Sequence, residues 1–139
     1  MDLQKNIIGL KASATLAINE LSQKLITEGK EVFKFGLGQS PFPVPDIIVK
    51  ELQKNAHQKD YLNVSGLMGL REEVANYHSN KNQYKYNAES VIIGPGSKEL
   101  IFQTQLVLNC DLLLPSPSWV SYEPQAQILN KKVHWIKAT

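Results

Sequence analysis

The second half of the chain alternates short apolar runs with helical patterns, and this order constrains the fold more than any other feature. Residues 91–93 and 112–114 are apolar runs, each followed by a turn of glycine or proline and then by a helical pattern. Residues 133–137 indicate one more strand. Strands separated by helices pair in parallel through crossover connections. We therefore predict an α/β layered fold with a parallel sheet of three strands.

The first half of the chain is predicted to be helical, with an extended piece over residues 31–37 and a proline-rich loop. Apolar residues recur at three- and four-residue steps from Ile7, which predicts a helix with one buried stripe that Gly29 ends. Prolines exclude regular structure between residues 41 and 45, and Pro45 with Asp46 is typical of a helix start. The next two predicted helices carry their apolar stripes at Ile48, Val49, Leu52 and Ala56, and at Leu67, Leu70, Val74 and Tyr77.

Composition limits the classes of function. The chain has 139 residues, 42% of them hydrophobic, which predicts one domain of ordinary size. Fifteen basic residues stand against 13 acidic ones, scattered singly, so nucleic acid is not the expected partner. The single cysteine excludes an intramolecular disulfide and fits a reducing cytoplasm. No stretch approaches the ~20 apolar residues of a membrane span, and no histidine or cysteine has metal-ligand spacing. We expect a cytoplasmic protein without a metal or a membrane partner.

The segment Gly94-Pro95-Gly96-Ser97-Lys98 lies between a predicted strand and a predicted helix, an arrangement that can hold a phosphate. The glycines allow close approach of the backbone, and the N–H groups of a first helical turn point towards an anion. Ser97 and Lys98 add a hydroxyl and a cation. The spacing matches neither a P-loop nor a dinucleotide fingerprint. An ordinary strand-to-helix turn is the alternative interpretation.

Three further residues have two interpretations each. Trp119 follows the second predicted strand, on the side where ligands of parallel sheets collect. Its indole could stack on a flat ring, or it could be a core aromatic. Tyr61 lies in a polar linker and could offer its hydroxyl to an anion, or it could be a surface aromatic. Arg71 is expected to pair with a neighbouring glutamate or a backbone carbonyl rather than with a substrate.

Five segments, taken in order, carry a family resemblance. The first is Ala12-Ser13-Ala14-Thr15-Leu16-Ala17, which resembles the opening helix of a known family, and four others follow it. They are Phe35-Gly36-Leu37-Gly38-Gln39-Ser40-Pro41-Phe42-Pro43, Tyr61 followed by Gly66-Leu67-Met68-Gly69-Leu70-Arg71-Glu72, residues 91–100, and Pro117-Ser118-Trp119-Val120-Ser121-Tyr122. Nearly the whole chain is covered, and it resembles the amino-terminal third of class I/II aminotransferases, which are pyridoxal-phosphate enzymes of fold type I. The resemblance implies a helical amino-terminal arm with a substrate-side loop over residues 1–44. It also implies that residues 45–139 begin the three-layer, mostly parallel large domain.

The same resemblance implies a cofactor, pyridoxal 5'-phosphate, and residues that bind it. The backbone of Gly96 and Ser97 and the side chain of Lys98 would face its phosphate, and Trp119 would stack against the pyridine ring. An anion at a helix start and an aromatic ring beyond the strand ends suit a phosphorylated planar cofactor.

The resemblance also implies partners. Tyr61 would reach the phosphate held by the other subunit, which makes a homodimer part of the site. Gly38 would approach the substrate carboxylate with its backbone N–H, and the substrates would be an amino acid and a 2-oxo acid. Gln39-Ser40-Pro41 replaces the family's common Glu-Pro-Asp, which affects the hydrogen bonding of the substrate loop.

Transamination in this family needs three groups that come later than the last strand predicted here. They are a Schiff-base lysine, an aspartate at the pyridine nitrogen and an arginine for the substrate carboxylate. We assign no catalytic residue in this chain, because Lys98 lies beside the phosphate in the motif. We expect the amino-terminal part of an aminotransferase, inactive alone. Two alternatives stay open: a truncated, non-catalytic remnant that binds phosphate compounds or complements a separate chain, and a pyridoxal-phosphate lyase of the same fold.

Overall fold

The structure, a computed structural model, describes residues 2–138 of the chain. Over that range it contains five α-helices and two β-strands. In chain order they are α1 (Ala14–Thr27), α2 (Asp46–Asn55), α3 (Met68–Asn82), α4 (Ser97–Val107), β1 (Leu112–Ser116), α5 (Tyr122–Ile128) and β2 (Val133–Lys137), with a single 3₁₀ turn at Ala88–Ser90 before α4.

The chain divides into two compact units. The central unit is Phe42–Leu100, and the terminal unit contains the described residues on either side of it, 2–41 and 101–138. The boundary predicted at residues 44 and 45 concerns the domains of the whole protein, and it stays a prediction.

The terminal unit is built around the parallel strand pair. Strand β1 pairs with β2 in parallel, with Leu112 opposite Val133 and Ser116 opposite Lys137. Helix α5 lies between the two strands in sequence, so the predicted order of strand, helix and parallel strand is confirmed here. Leu114 in β1 and Ala126 in α5 are the apolar residues of this unit that are buried. Beside them, the Gln105 amide of α4 donates to the Gln125 carbonyl oxygen of α5 at 3.1 Å.

The central unit contains α2, α3 and the 3₁₀ turn, and the predicted strand at residues 91–93 is wrong. These residues run without a strand assignment, and Val91 has extended dihedral angles. The amide of Ile93 donates to the Ser65 carbonyl at 3.0 Å, which is a loop contact. A β-branched run becomes a strand only where a second strand satisfies its backbone groups. The sheet of the described chain therefore has two strands, where we predicted three.

The helices of the first half differ from prediction in their start and in their burial. Helix α1 begins at Ala14, not Ile7, because the preceding residues form turns and Gly9 has a φ of +87°. The predicted end near Gly29 and the predicted start of α2 after Pro45 are confirmed. The apolar stripes of α1 and α2 are exposed instead of buried. A stripe is buried only where another element covers it, which periodicity alone does not reveal.

A bilayer span requires a long apolar helix. Among the described residues, none of the helices is long and apolar enough to cross a membrane.

Candidate functional site

The turn before α4 has only part of the arrangement predicted for phosphate binding, because a helix follows it but none of the described residues before it forms a strand. The Gly96 carbonyl accepts the amide of Leu100 at 3.3 Å, so Gly96 directly precedes the helix and accepts the hydrogen bond of its first turn. A Cβ added to Gly96 would meet no heavy atom within 4 Å, which leaves open space beside the backbone. Ser97 and Lys98 are exposed in the first turn, and Glu99 follows them there. The first N–H groups of a helix have no acceptor within it, so a helix start of this kind can donate to an anion.

Gly94, the other glycine of the turn, lies where the side chain of Leu100 packs against the backbone. A Cβ on Gly94 would lie 2.8 Å from Cδ2 of Leu100, closer than real side chains come. Gly94 therefore lets Leu100 pack back over the turn, and only Gly96 contributes the open backbone surface.

A contact network between residues 65–71 and 88–93 lies directly before this turn, and we call it the loop clamp. Arg71 of α3 donates from Nε to the Val91 carbonyl at 2.9 Å and from Nη2 to the Ala88 carbonyl at 2.7 Å. The expectation that Arg71 pairs with a backbone carbonyl is confirmed. Gly66 has a φ of +98°, and a Cβ there would lie 2.6 Å from Cβ of Ile93. No local pattern predicts this role of Gly66, since it depends on Ile93, a neighbour 27 residues along the chain.

Trp119 follows β1 by three residues, beyond the carboxyl end of the strand. Its side chain is 41% exposed, so Trp119 is not among the buried residues of the described chain. Its ring meets the Tyr122 ring edge-on, with centroids 5.2 Å apart and an interplanar angle of 81°. The amide of Tyr122 also donates to the Trp119 carbonyl at 3.2 Å. Tyr122 thus orients the indole, a role we did not assign from the sequence although an aromatic three residues onward was the available signal.

Tyr61 and Gly38 lie in irregular segments. Tyr61 is fully exposed between α2 and α3, so none of the described residues covers its ring. Gly38 lies between α1 and α2, in a tight turn where the Gln39 amide donates to the Leu37 carbonyl at 3.0 Å. No heavy atom lies within 4 Å of a Cβ added to Gly38. Within the central unit, Gly96, Ser97 and Lys98 are consecutive residues at the start of α4. Tyr61 lies in a different segment, between α2 and α3.

The titratable pair Asp111 and His134 lies at the amino ends of the two strands, away from the strand ends that Trp119 follows. Oδ2 of Asp111 is 3.2 Å from Nε2 of His134. This hydrogen bond, together with that from the Lys132 amide, lowers the pKa of Asp111 from its ordinary value of 3.8. Residues 2–138 contain no group of three or more histidine, cysteine or acidic side chains placed to hold a metal ion.

Comparison with known proteins decides the family. The sequence model described as "Aminotransferase class I and II" matches residues 30–138, which is most of the chain. The chain belongs to the class I and II aminotransferase family. The matched range contains the turn before α4, the loop clamp and Trp119, so each of these features belongs to the family region.

Individual relatives of the aminotransferase family agree in fold and in extent. The chain is 30% identical over 135 residues to a probable aspartate/prephenate aminotransferase of Rhizobium leguminosarum, and 32% identical over 133 residues to an aspartate aminotransferase of Geobacillus stearothermophilus. These alignments cover 94% and 92% of this chain and 34% of each relative. A crystal structure of an aspartate aminotransferase from Thermotoga maritima superposes with a TM-score of 0.83 at 25% identity, over 99% of this chain and 38% of that one.

The fold type I architecture predicted from the resemblance is therefore confirmed. The chain spans about a third of the length of the curated relatives it matches, at their 34% coverage.

Proposed function

We propose that this chain supplies part of the cofactor site of a pyridoxal-phosphate-dependent aminotransferase, which transfers an amino group between an amino acid and a 2-oxo acid. The family match over residues 30–138 carries this proposal. The two alternatives, a phosphate-binding remnant and a lyase, gain no support, because the relatives named above are aminotransferases. Aspartate is the first amino donor to test, since those relatives carry it in their names.

The residues before and within the first turn of α4 fit the phosphate of this cofactor. Gly96 offers open backbone, Ser97 a hydroxyl and Lys98 an ammonium group, all exposed at the start of an 11-residue helix. This donor set suits a dianion, which the positive end of a helix attracts. When bound, the cofactor supplies an aromatic ring that accepts electrons from the substrate. The role of Gly96, Ser97 and Lys98 is to bind and orient it.

Trp119 would position the ring of the cofactor. Its edge contact with Tyr122 leaves the indole partly exposed and limits its rotation. An aromatic ring held in this way stacks on a planar ligand with little loss of side-chain entropy.

Tyr61 and Gly38 complete the proposal. The full exposure of Tyr61 makes its hydroxyl available to the phosphate bound by a second copy of the chain in a homodimer. The open backbone of Gly38 can donate its N–H to a substrate carboxylate. We place the whole enzyme in the cytoplasm, where a single cysteine such as Cys110 stays reduced.

The test compares the binding of pyridoxal phosphate with that of pyridoxal, which has the same pyridine ring but no phosphate. We expect saturable binding of pyridoxal phosphate, with pyridoxal much weaker. Lys98→Met should lower the affinity for pyridoxal phosphate about fivefold and leave the affinity for pyridoxal unchanged, because only the phosphate interacts with that cation. Trp119→Ala should lower the affinity for both ligands by the same factor, roughly fivefold, because it removes stacking on the pyridine ring.

Lys50→Met is the matched control, since Lys50 is an exposed lysine of α2. It should leave both affinities unchanged, which would show that the loss of an unrelated surface cation does not affect binding. Equal affinities for the two ligands in the wild type would overturn the proposed phosphate site. Unchanged binding by Trp119→Ala would overturn the stacking role alone.

A further inference from the structure

Arg71 is the only arginine of the chain, and it is the basic residue that folding buries. The other fourteen basic residues are lysines. The side chain of Arg71 is 6% exposed, in α3 at the position facing the 3₁₀ turn. Burying a cation is costly unless its donors find acceptors, so an arginine here points to a specific geometric requirement.

That requirement is a pair of backbone carbonyls. Nε donates to the carbonyl of Val91, directly after the 3₁₀ turn, and Nη2 donates to the carbonyl of Ala88, the first residue of that turn. The fixed fork of a guanidinium can reach both at once, whereas the ammonium group of lysine is a single point. Among residues 2–138, no carboxylate lies within 4.0 Å of this guanidinium, so the carbonyls and not an ion pair account for its position.

A third hydrogen bond holds residues 88–93, close to the turn before α4. The Ile93 amide donates to the Ser65 carbonyl at 3.0 Å, and the side chain of Ile93 rests against Gly66. Residues 88, 91 and 93 are therefore all attached to residues 65–71. The backbone after Ile93 has three residues left before α4 begins at Ser97. Fixing the direction of the chain at Ile93 thus restricts where Gly96 and Ser97 lie.

We propose that Arg71 is a positioning residue for the cofactor phosphate, because it holds residues 88–93 so that the turn ending at Gly96 presents its backbone to the anion. This inference rests on the proposed function of the turn. Arg71 touches neither cofactor nor substrate in this role. It acts through the carbonyls of Ala88 and Val91.

The experiment replaces Arg71 in the full chain by methionine and by lysine. We expect Arg71→Met to lower the affinity for pyridoxal phosphate about tenfold or more, while the affinity for pyridoxal stays within about twofold. The reason is that two carbonyls lose their charged donor, so the turn before α4 is no longer held in place. Arg71→Lys should recover only part of this loss, since it keeps the charge but not the fork. If the methionine variant does not fold, the lysine variant carries the same comparison.

Amide hydrogen exchange provides a readout that needs no ligand. In Arg71→Met, the amides of Val91 and Ile93, which donate to the Ala88 and Ser65 carbonyls, should exchange faster than in the wild type. Ala75→Gly is the control for a merely structural loss, because Ala75 is buried in the same helix but makes none of the clamp bonds. It should lower the urea midpoint and leave the preference for pyridoxal phosphate over pyridoxal unchanged.

The outcomes separate the two proposals. A wild type that binds both ligands equally would overturn the proposed function, and the role of Arg71 towards the phosphate with it. A wild type that prefers the phosphorylated ligand, with the same preference and the same exchange rates in Arg71→Met, would overturn the role of Arg71 only. Equal loss of preference in Arg71→Met and Ala75→Gly would also overturn it, since general destabilisation would then explain the effect.

Discussion

The two units of this chain are stabilised in different ways. The terminal unit has a parallel strand pair with Leu114 and Ala126 buried beside it. The central unit has no strand among its described residues, and its loops are held by Arg71, Gly66 and the Ser65 carbonyl. Strand pairing distributes hydrogen bonds over the backbone of many residues, whereas the loop clamp depends on one side chain, Arg71, and on the backbone hydrogen bond from Ile93 to Ser65. Single substitutions should therefore act by apolar burial in the first unit and by backbone geometry in the second.

The largest effect on stability is expected in the terminal unit, from Leu114→Ala. Leu114 is 8% exposed, so its truncation removes buried apolar surface and leaves a cavity. We expect a loss of about 3 kcal/mol in the free energy of unfolding, measured by urea denaturation. Leu113→Ala is the matched control in the same strand, because Leu113 is 65% exposed, and it should cost less than about 1 kcal/mol. Equal losses in the two variants would show that burial of Leu114 does not stabilise this unit.

A smaller effect is expected in the central unit, from Gly66→Ala. The new side chain would be strained at a φ of +98° and would clash with Cβ of Ile93 at 2.6 Å. We expect a loss of about 2 kcal/mol in the free energy of unfolding. Gly69→Ala is the control, since Gly69 lies in α3 with no heavy atom within 4 Å of an added Cβ. It should instead stabilise by about 0.5–1 kcal/mol, so a loss of stability there would contradict this account of the clamp.

The smallest effect is expected from Asp111→Asn, and it should depend on pH. The hydrogen bond with His134 lowers the pKa of Asp111 below its ordinary value of 3.8. A lowered carboxyl pKa stabilises the folded state above the ordinary value, and this contribution is lost as the pH falls through the lowered one. The urea midpoint of Asp111→Asn should thus lie slightly below that of the wild type at pH 7, and the difference should shrink below pH 3.8. A difference that persists at lower pH would show that the carboxylate charge is not its cause.

The predictable parts of the fold and the site are those that depend on neighbours in sequence. The run at Val133–Lys137 is a strand as predicted, and α4 begins at Ser97 after the two glycines as predicted. The exposed donors at Ser97 and Lys98 follow directly from that start. By contrast, the first predicted helix was placed seven residues too early, because its apolar periodicity continues through the positive φ of Gly9.

The order of elements, the family and the residues of the turn before α4 follow from the sequence alone, since periodicity, turn residues and motif spacing are local properties. Three-dimensional packing sets the path of residues 91–93, which run as a loop held by residues 65–71, because a strand exists only where a second strand accepts its hydrogen bonds. It also sets the partners of Arg71. The two carbonyls lie 17 and 20 residues further along the chain, and no local pattern specifies which backbone groups a buried guanidinium will meet.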